Sequence, residues 1–178
     1  VGLALGAAIN YKDKAPKVNV LEGEGGLTAG RVAESLAIAS RAGLDNLIIH
    51  LDCNQASIDS DKVCAKDGQA GDYVSWQPTE LFYINGFNVI EVDDGSNFAQ
   101  VYAAQKFANN LNNGVPTSIV YKTIKGRKYG IEGRKSHGSG HKFASEGYYK
   151  ALEEFEKTFG VQIPRFKGEM DAQNVESL

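Results

Sequence analysis

Four short apolar runs, Val18 to Leu21, Asn46 to Leu51, Phe87 to Val92 and Thr117 to Tyr121, have the length of buried strands. Helical patterns separate them. Gly30 to Ala42 carries Val32, Leu36, Ala39 and Ala42. Asn97 to Leu111 carries Phe98, Val101, Tyr102, Ala104, Phe107, Ala108 and Leu111, near the 3.6-residue spacing of one helix face. Strands that alternate with amphipathic helices feed right-handed crossovers into a parallel sheet. The expected fold is therefore α/β, a parallel sheet flanked by helices on both faces.

Two segments escape the alternation: Cys53 to Trp76, and Thr123 to Ala144 with its glycines and basic residues. Loops of this length in a compact domain usually carry function. Both follow strands, so both should emerge at the carboxyl edge of the sheet, where parallel sheets bind ligands. A last helix is expected over Ser145 to Phe159. The chain opens on VGLALGAA, a helix-like apolar stretch without an N-cap residue before it, which implies a start in mid-element. The domain is expected to span 1–160, truncated at its N-terminus, with 161–178 an irregular tail or linker.

Charge excludes some partners. Nineteen basic against 22 acidic residues leave a formal charge of -3, so nucleic acid and anionic membrane are not expected. No apolar run reaches the roughly 20 residues of a membrane span. Cys53 and Cys64 form neither a CxxC pair nor a disulfide framework, which fits a reduced cytoplasmic compartment.

The chemistry is concentrated at two strand ends. In VNVLEGEGGLTAGRVAE a strand runs into Gly23-Glu24-Gly25-Gly26 and then a helix. Glycines there let a phosphate approach backbone N–H groups. Glu24 repels that phosphate unless a cation bridges them. Such a turn is by itself often only a tight strand-to-helix connection. It fits neither the dinucleotide fingerprint nor the P-loop, since Thr28 stands where the former needs glycine or alanine and no Gly-Lys-Ser/Thr follows. In NLIIHLDCNQASID the next strand ends in Asp52, Cys53 and Asn54, thirty positions after Glu24. One strand-helix-strand unit fills that gap and brings both ends to the same edge. A carboxylate, an amide oxygen and a free carbonyl are hard ligands suited to magnesium or calcium, with diphosphate and water completing the shell.

These residues resemble the thiamine diphosphate signature of the transketolase family: Gly-Asp-Gly, about thirty residues, then asparagine. LEGEGGLTAGRVAESLAIASRAGLDNLIIHLDCNQASID is similar to the family's stretch from the acidic glycine turn onward, VGLALGAAIN to the helix after its upstream glycine loop, and KSHGSGH to its late His-Gly motif. The resemblance implies a three-layer thiamine diphosphate-binding fold. It implies metal ligands at Glu24, Asn54 and the Ala56 carbonyl, cofactor-binding residues at Gly23, Glu24, Gly25, Asn54, Ala56 and His137, with the Gly25 amide on the diphosphate, and an active-site role for His137. It further implies ketol transfer between sugar phosphates, as in the pentose phosphate pathway, by a homodimer. A pyrimidine-binding domain of the same or a partner chain would complete the site, so this chain alone should be inactive.

Two positions depart from the pattern: Glu24 replaces the expected aspartate, and Ala29 stands where the family places a glutamate. Both leave room for a catalytically silent transketolase-like subunit. A deoxyxylulose-phosphate synthase is a further alternative, against which Ser57-Ile58-Asp59 argues. Glu34 matches another family acid but reads equally as a helix-surface residue. His50, inside a strand, reads as a core histidine, and His141 draws notice only through its nearness to His137. The basic run Lys122, Lys125, Arg127, Lys128, Arg134 and Lys135 could attract a sugar phosphate, although such loops are usually only solvated. Asp52 and Asp59 are candidates to orient the loop around Asn54. Neither cysteine has a base beside it in sequence.

Overall fold

A computed structural model describes residues 1–138 and 140–165. The chain separates into two compact units, Val1–Thr123 and Ile124–Leu178. Of the expected tail, 161–165 is irregular and 166–178 lies outside the described residues.

In the first unit the order is α1 (Gly2–Tyr11), a 3-10 turn (Lys12–Lys14), β1 (Val18–Gly23), α2 (Glu24–Leu27), α3 (Gly30–Arg41), β2 (Leu47–Cys53), α4 (Pro78–Ile84), β3 (Asn88–Val92), α5 (Phe98–Asn110) and β4 (Thr117–Lys122). All four strands are parallel, in the order β1-β2-β4-β3. Because side chains alternate across a strand, β2 and β4 feed two cores. Leu47, Ile49, Leu51 and Val120 join Leu36 and Ala39 of α3 and Leu81 and Phe82 of α4. Ile48, Ile119 and Tyr121 join Ala104 and Ala108 of α5 on the other face. The helices thus cover both faces, as the alternation of patterns requires.

Local chemistry sets the boundaries. α3 ends in a Schellman arrangement, in which Gly43 N–H donates to Ser40 O and Leu44 N–H to Ala39 O. Gly43 adopts φ +64°, and a Cβ there would lie 3.2 Å from Gly114 O, so the position suits glycine on two counts. Asn97 caps α5 by accepting from the amides of Ala99 and Gln100.

Three features differ from the sequence expectation. β1 is an edge strand. Val18 and Val20 pack against the larger core, but Leu21 points to the opposite face and is 79% exposed, so β1 is not the buried strand its apolar run suggests. α5 keeps its position but buries its small residues. Ala104 and Ala108 pack against the sheet, while Phe98, Tyr102 and Phe107 are exposed. Finally, α4 has no counterpart among the helices read from periodicity, because seven residues are too few to show one. Its signals are chemical: Pro78 at the first helical position, and Glu80 accepting from the Gln77 amide at 2.9 Å.

The second unit holds a 3-10 turn (Gly133–His137) and α6 (Glu146–Phe159). Ser145 caps α6 by accepting from the Tyr148 amide, and Gly160 closes it in the left-handed conformation. None of its described residues is buried. No described helix in either unit is long and apolar enough to cross a membrane.

Candidate metal and diphosphate site

β1 and β2 pair in parallel with Gly23 opposite Asp52. Glu24, just past the end of β1, and Asn54, just past the end of β2, therefore leave the sheet side by side at its carboxyl edge. Glu24 opens α2, turns inward and is 1% exposed. Its Oε2 accepts the Asn54 N–H at 3.1 Å, which ties together positions thirty residues apart. Its Oε1 is buried and has no hydrogen-bond partner. Leaving such a group unsatisfied costs about 1–3 kcal/mol, more if it is charged. Burial raises the Glu24 pKa above its ordinary value, with Asp52 adding to the rise and backbone N–H groups opposing it.

Asn54 is held in a defined orientation. Its Nδ2 donates to Asp52 Oδ2 at 3.0 Å, and its Oδ1 accepts from the Ala56 N–H at 2.8 Å. The amide cannot flip without losing both bonds, so oxygen and nitrogen are distinguished by their partners. The turn needs Gln55 at φ +62°, unusual for a residue with a side chain, and Gln55 Oε1 accepts the Cys64 amide at 2.8 Å. Asp52 is fixed in turn by Thr123, whose Oγ1 donates to Asp52 Oδ1. Asp52 was already a candidate from its place at the strand end. Thr123, 71 positions away, carried no sequence signal; it comes into reach because β2 and β4 are neighbours.

The glycine turn is open. A Cβ built on Gly23 or Gly25 would meet no atom within 4 Å, so a ligand can approach the backbone of both. The Gly23 N–H is engaged by its own neighbour, Glu22 Oε1, at 3.0 Å. A buried carboxylate oxygen without a partner, a locked amide oxygen and an open glycine turn fit a hard cation carrying a diphosphate. Among the described residues, no group of three or more His, Cys, Asp or Glu side chains gathers as a metal cluster. The donor set suits the oxygen-ligated ions rather than zinc.

The structure thus brings Glu24, Asn54 and Ala56 together. His137 belongs to the second unit, where it ends the 3-10 turn and is exposed. His141 serves its own unit, with Nε2 2.9 Å from Tyr129 O and its amide donating to Tyr129 Oη. His50 bonds Tyr121 Oη at 2.9 Å and Asn19 Oδ1 at 2.8 Å, a satisfied histidine whose pKa burial lowers. Asp59 accepts from Ser57 Oγ and Tyr73 Oη, which braces the loop beyond Ala56. Glu34 lies exposed on α3. Of the basic run, Lys122 pairs with Glu91 and Asp93, and Lys128 with Glu154. Burial pushes both the Cys53 and Cys64 thiols up to about 12, which leaves no nucleophilic thiolate at neutral pH.

Comparison with known proteins decides the family. Residues 8–165 match the family described as transketolase, thiamine diphosphate binding domain. The chain belongs to this family. Transketolase of Physarum polycephalum is 34% identical over 132 residues, 72% of this chain and 19% of that protein. The crystal structure of transketolase from Campylobacter jejuni superposes with a TM-score of 0.70 at 28% identity, covering 85% of this chain and 23% of that one. Transketolase from Leishmania mexicana gives 0.70 at 26% identity, covering 96% and 25%. The chain spans about a fifth of the length of the curated relatives it matches. The parallel sheet with helices on both faces is thus the architecture of the transketolase family's thiamine diphosphate-binding domain.

Proposed function

We propose that this chain holds the diphosphate and metal of thiamine diphosphate in an enzyme that transfers a two-carbon ketol unit between sugar phosphates. The observation that carries the proposal is the buried, unpartnered Oε1 of Glu24 beside the locked Asn54 amide. Glu24, Asn54 Oδ1 and the Ala56 carbonyl hold Mg2+ or Ca2+, and the Gly23–Gly25 turn presents its backbone to the diphosphate. The cofactor supplies the carbon nucleophile and electron sink that ketose cleavage requires. His137 binds near the reacting oxygens and holds or moves a proton at an imidazole nitrogen. Residues 1–160 act as the diphosphate-binding domain. A pyrimidine-binding domain of the same or a partner chain completes the site in a cytoplasmic homodimer, so the 178-residue chain alone is inactive.

Family membership and the open glycine turn support this reading. Ala29 favours a second one, the catalytically silent subunit: it is the N-cap of α3 and offers no side-chain cap where the family pattern has a glutamate. Calorimetric titration of thiamine diphosphate into the full-length protein, with and without magnesium, separates the two. Glu24→Ala should abolish metal-dependent binding, and Glu24→Asp should retain or tighten it. If Glu24→Ala binds the cofactor as the parent does, Glu24 is only a turn residue and the silent subunit becomes the better reading.

A further inference from the structure

We infer that Tyr129 and His141 position His137, holding together the two ends of the segment that carries it, and that His141 acts on the reaction only through His137. The inference rests on the reading of His137 given above. Tyr129 meets His141 with both of its polar ends. Its carbonyl oxygen is 2.9 Å from Nε2 of the imidazole, and its hydroxyl oxygen accepts the His141 amide at 3.0 Å. The two rings stand 4.8 Å apart between centroids, tilted by 54°. A carbonyl can only accept, so Nε2 carries the proton. That nitrogen is committed to the backbone, and Nδ1 faces Gly147. His141 is therefore a positioning residue and not a second proton carrier.

Glycines stand where the contact needs space. A Cβ on Gly140 would lie 2.7 Å from Tyr129 Oη, and one on Gly147 would lie 2.5 Å from His141 Nδ1. Gly130 turns the chain at φ +76° directly after Tyr129. A second close approach precedes His137. Gly126, at φ +71°, has so little room that a Cβ there would lie 2.9 Å from Ser136 Cβ, and Ser136 Oγ donates to Gly133 O at 2.8 Å. His137, exposed at the end of its 3-10 turn, is thus held through the residue before it and through His141 four residues after it. Proton transfer requires the imidazole within hydrogen-bond reach of its partner, and a misplacement of about 1 Å can cost about a hundredfold in rate.

The test is steady-state kinetics of the full-length protein with thiamine diphosphate, magnesium, a ketose phosphate donor and an aldose phosphate acceptor. His141→Ala should lower kcat by about 10- to 100-fold, with KM and cofactor affinity changed by less than about threefold. His141→Gln, whose amide nitrogen can still donate to the Tyr129 carbonyl, should recover most of that loss. Adding His141→Ala to His137→Ala should lower the rate no further. If His141→Ala does not fold, His141→Phe keeps the ring contact, lacks the donor and carries the same expectation. Without cofactor, Tyr129→Phe should speed hydrogen exchange of the His141 amide by at least about tenfold. A parent-like kcat in His141→Ala, a glutamine variant as slow as the alanine one, additive losses in the double variant, or unchanged exchange in Tyr129→Phe would each overturn the inference while leaving His137 in place. If the parent does not turn over, or if His137→Ala is as fast as the parent, the reading of His137 fails and the inference with it.

Discussion

The two units of this chain stand on different physical footings. In Val1–Thr123 parallel strands bury Leu47, Ile48, Leu51 and Ile119 completely, and the candidate ligands extend directly from those strands. Among the described residues from 124 to 165 none is buried. There, order comes from turns and side-chain bonds: Gly133 N–H to Lys125 O, Tyr129 N–H to Gly126 O, His141 against Tyr129, and Arg165 paired with Glu156, whose pKa it lowers. A sheet edge fixes the side chains that leave it, whereas a segment ordered by turns and surface bonds opens locally at lower cost.

The sharpest way to break this contrast is native-state hydrogen exchange. Amides of β2 and β4 should exchange at least about a thousandfold more slowly than those of Lys125–His137 in the same sample. Comparable protection in both would remove the distinction. Next in size is the effect of His137→Ala in the full-length protein. Turnover should fall by about 10²–10⁴-fold while cofactor affinity changes far less, the inverse of the Glu24→Ala pattern. An unchanged rate would take His137 out of the site.

Truncation of packed side chains gives a smaller contrast. Leu51→Ala, in the core beneath the site, should cost about 2–5 kcal/mol in denaturant unfolding. Phe155→Ala, on the half-exposed face of α6, should cost about 1 kcal/mol or less. Equal costs would mean that α6 is packed as firmly as β2.

The smallest effect concerns pH. Burial holds the His50 pKa below its usual value near 6.5, so the folded state binds fewer protons than the unfolded state as pH falls through that range. The stability present above pH 6.5 is therefore lost progressively toward the lower folded-state value. His50→Gln should flatten this acid limb in a series of Tm measurements. An identical slope would show that His50 does not contribute to it.

Much of the scaffold was legible because it depends on short-range pattern. The four strands lie within a residue or two of the apolar runs, and α3, α5 and α6 within a residue of their periodic stretches. The pairing of Glu24 with Asn54 was legible because a single crossover unit fixes the distance between two strand ends. The rest depended on information that no window of sequence holds. Leu21 reads as core until the sheet order makes β1 an edge. The aromatics of α5 read as its buried face, whereas Ala104 and Ala108 are the residues that meet the sheet. Thr123 reaches Asp52 only through the adjacency of β2 and β4, and α4 is too short for periodicity to reveal it.

The bond between Glu24 and Asn54 has a topological consequence. It closes a ring through α2, α3 and β2, and a cation shared by the two side chains would turn that weak closure into a cross-link. Cross-linking two points thirty residues apart removes loop freedom from the unfolded chain worth about 4 kcal/mol in the chain-entropy picture. The loaded ion would thus serve as a clasp for the first half of the sheet as well as an anchor for the diphosphate.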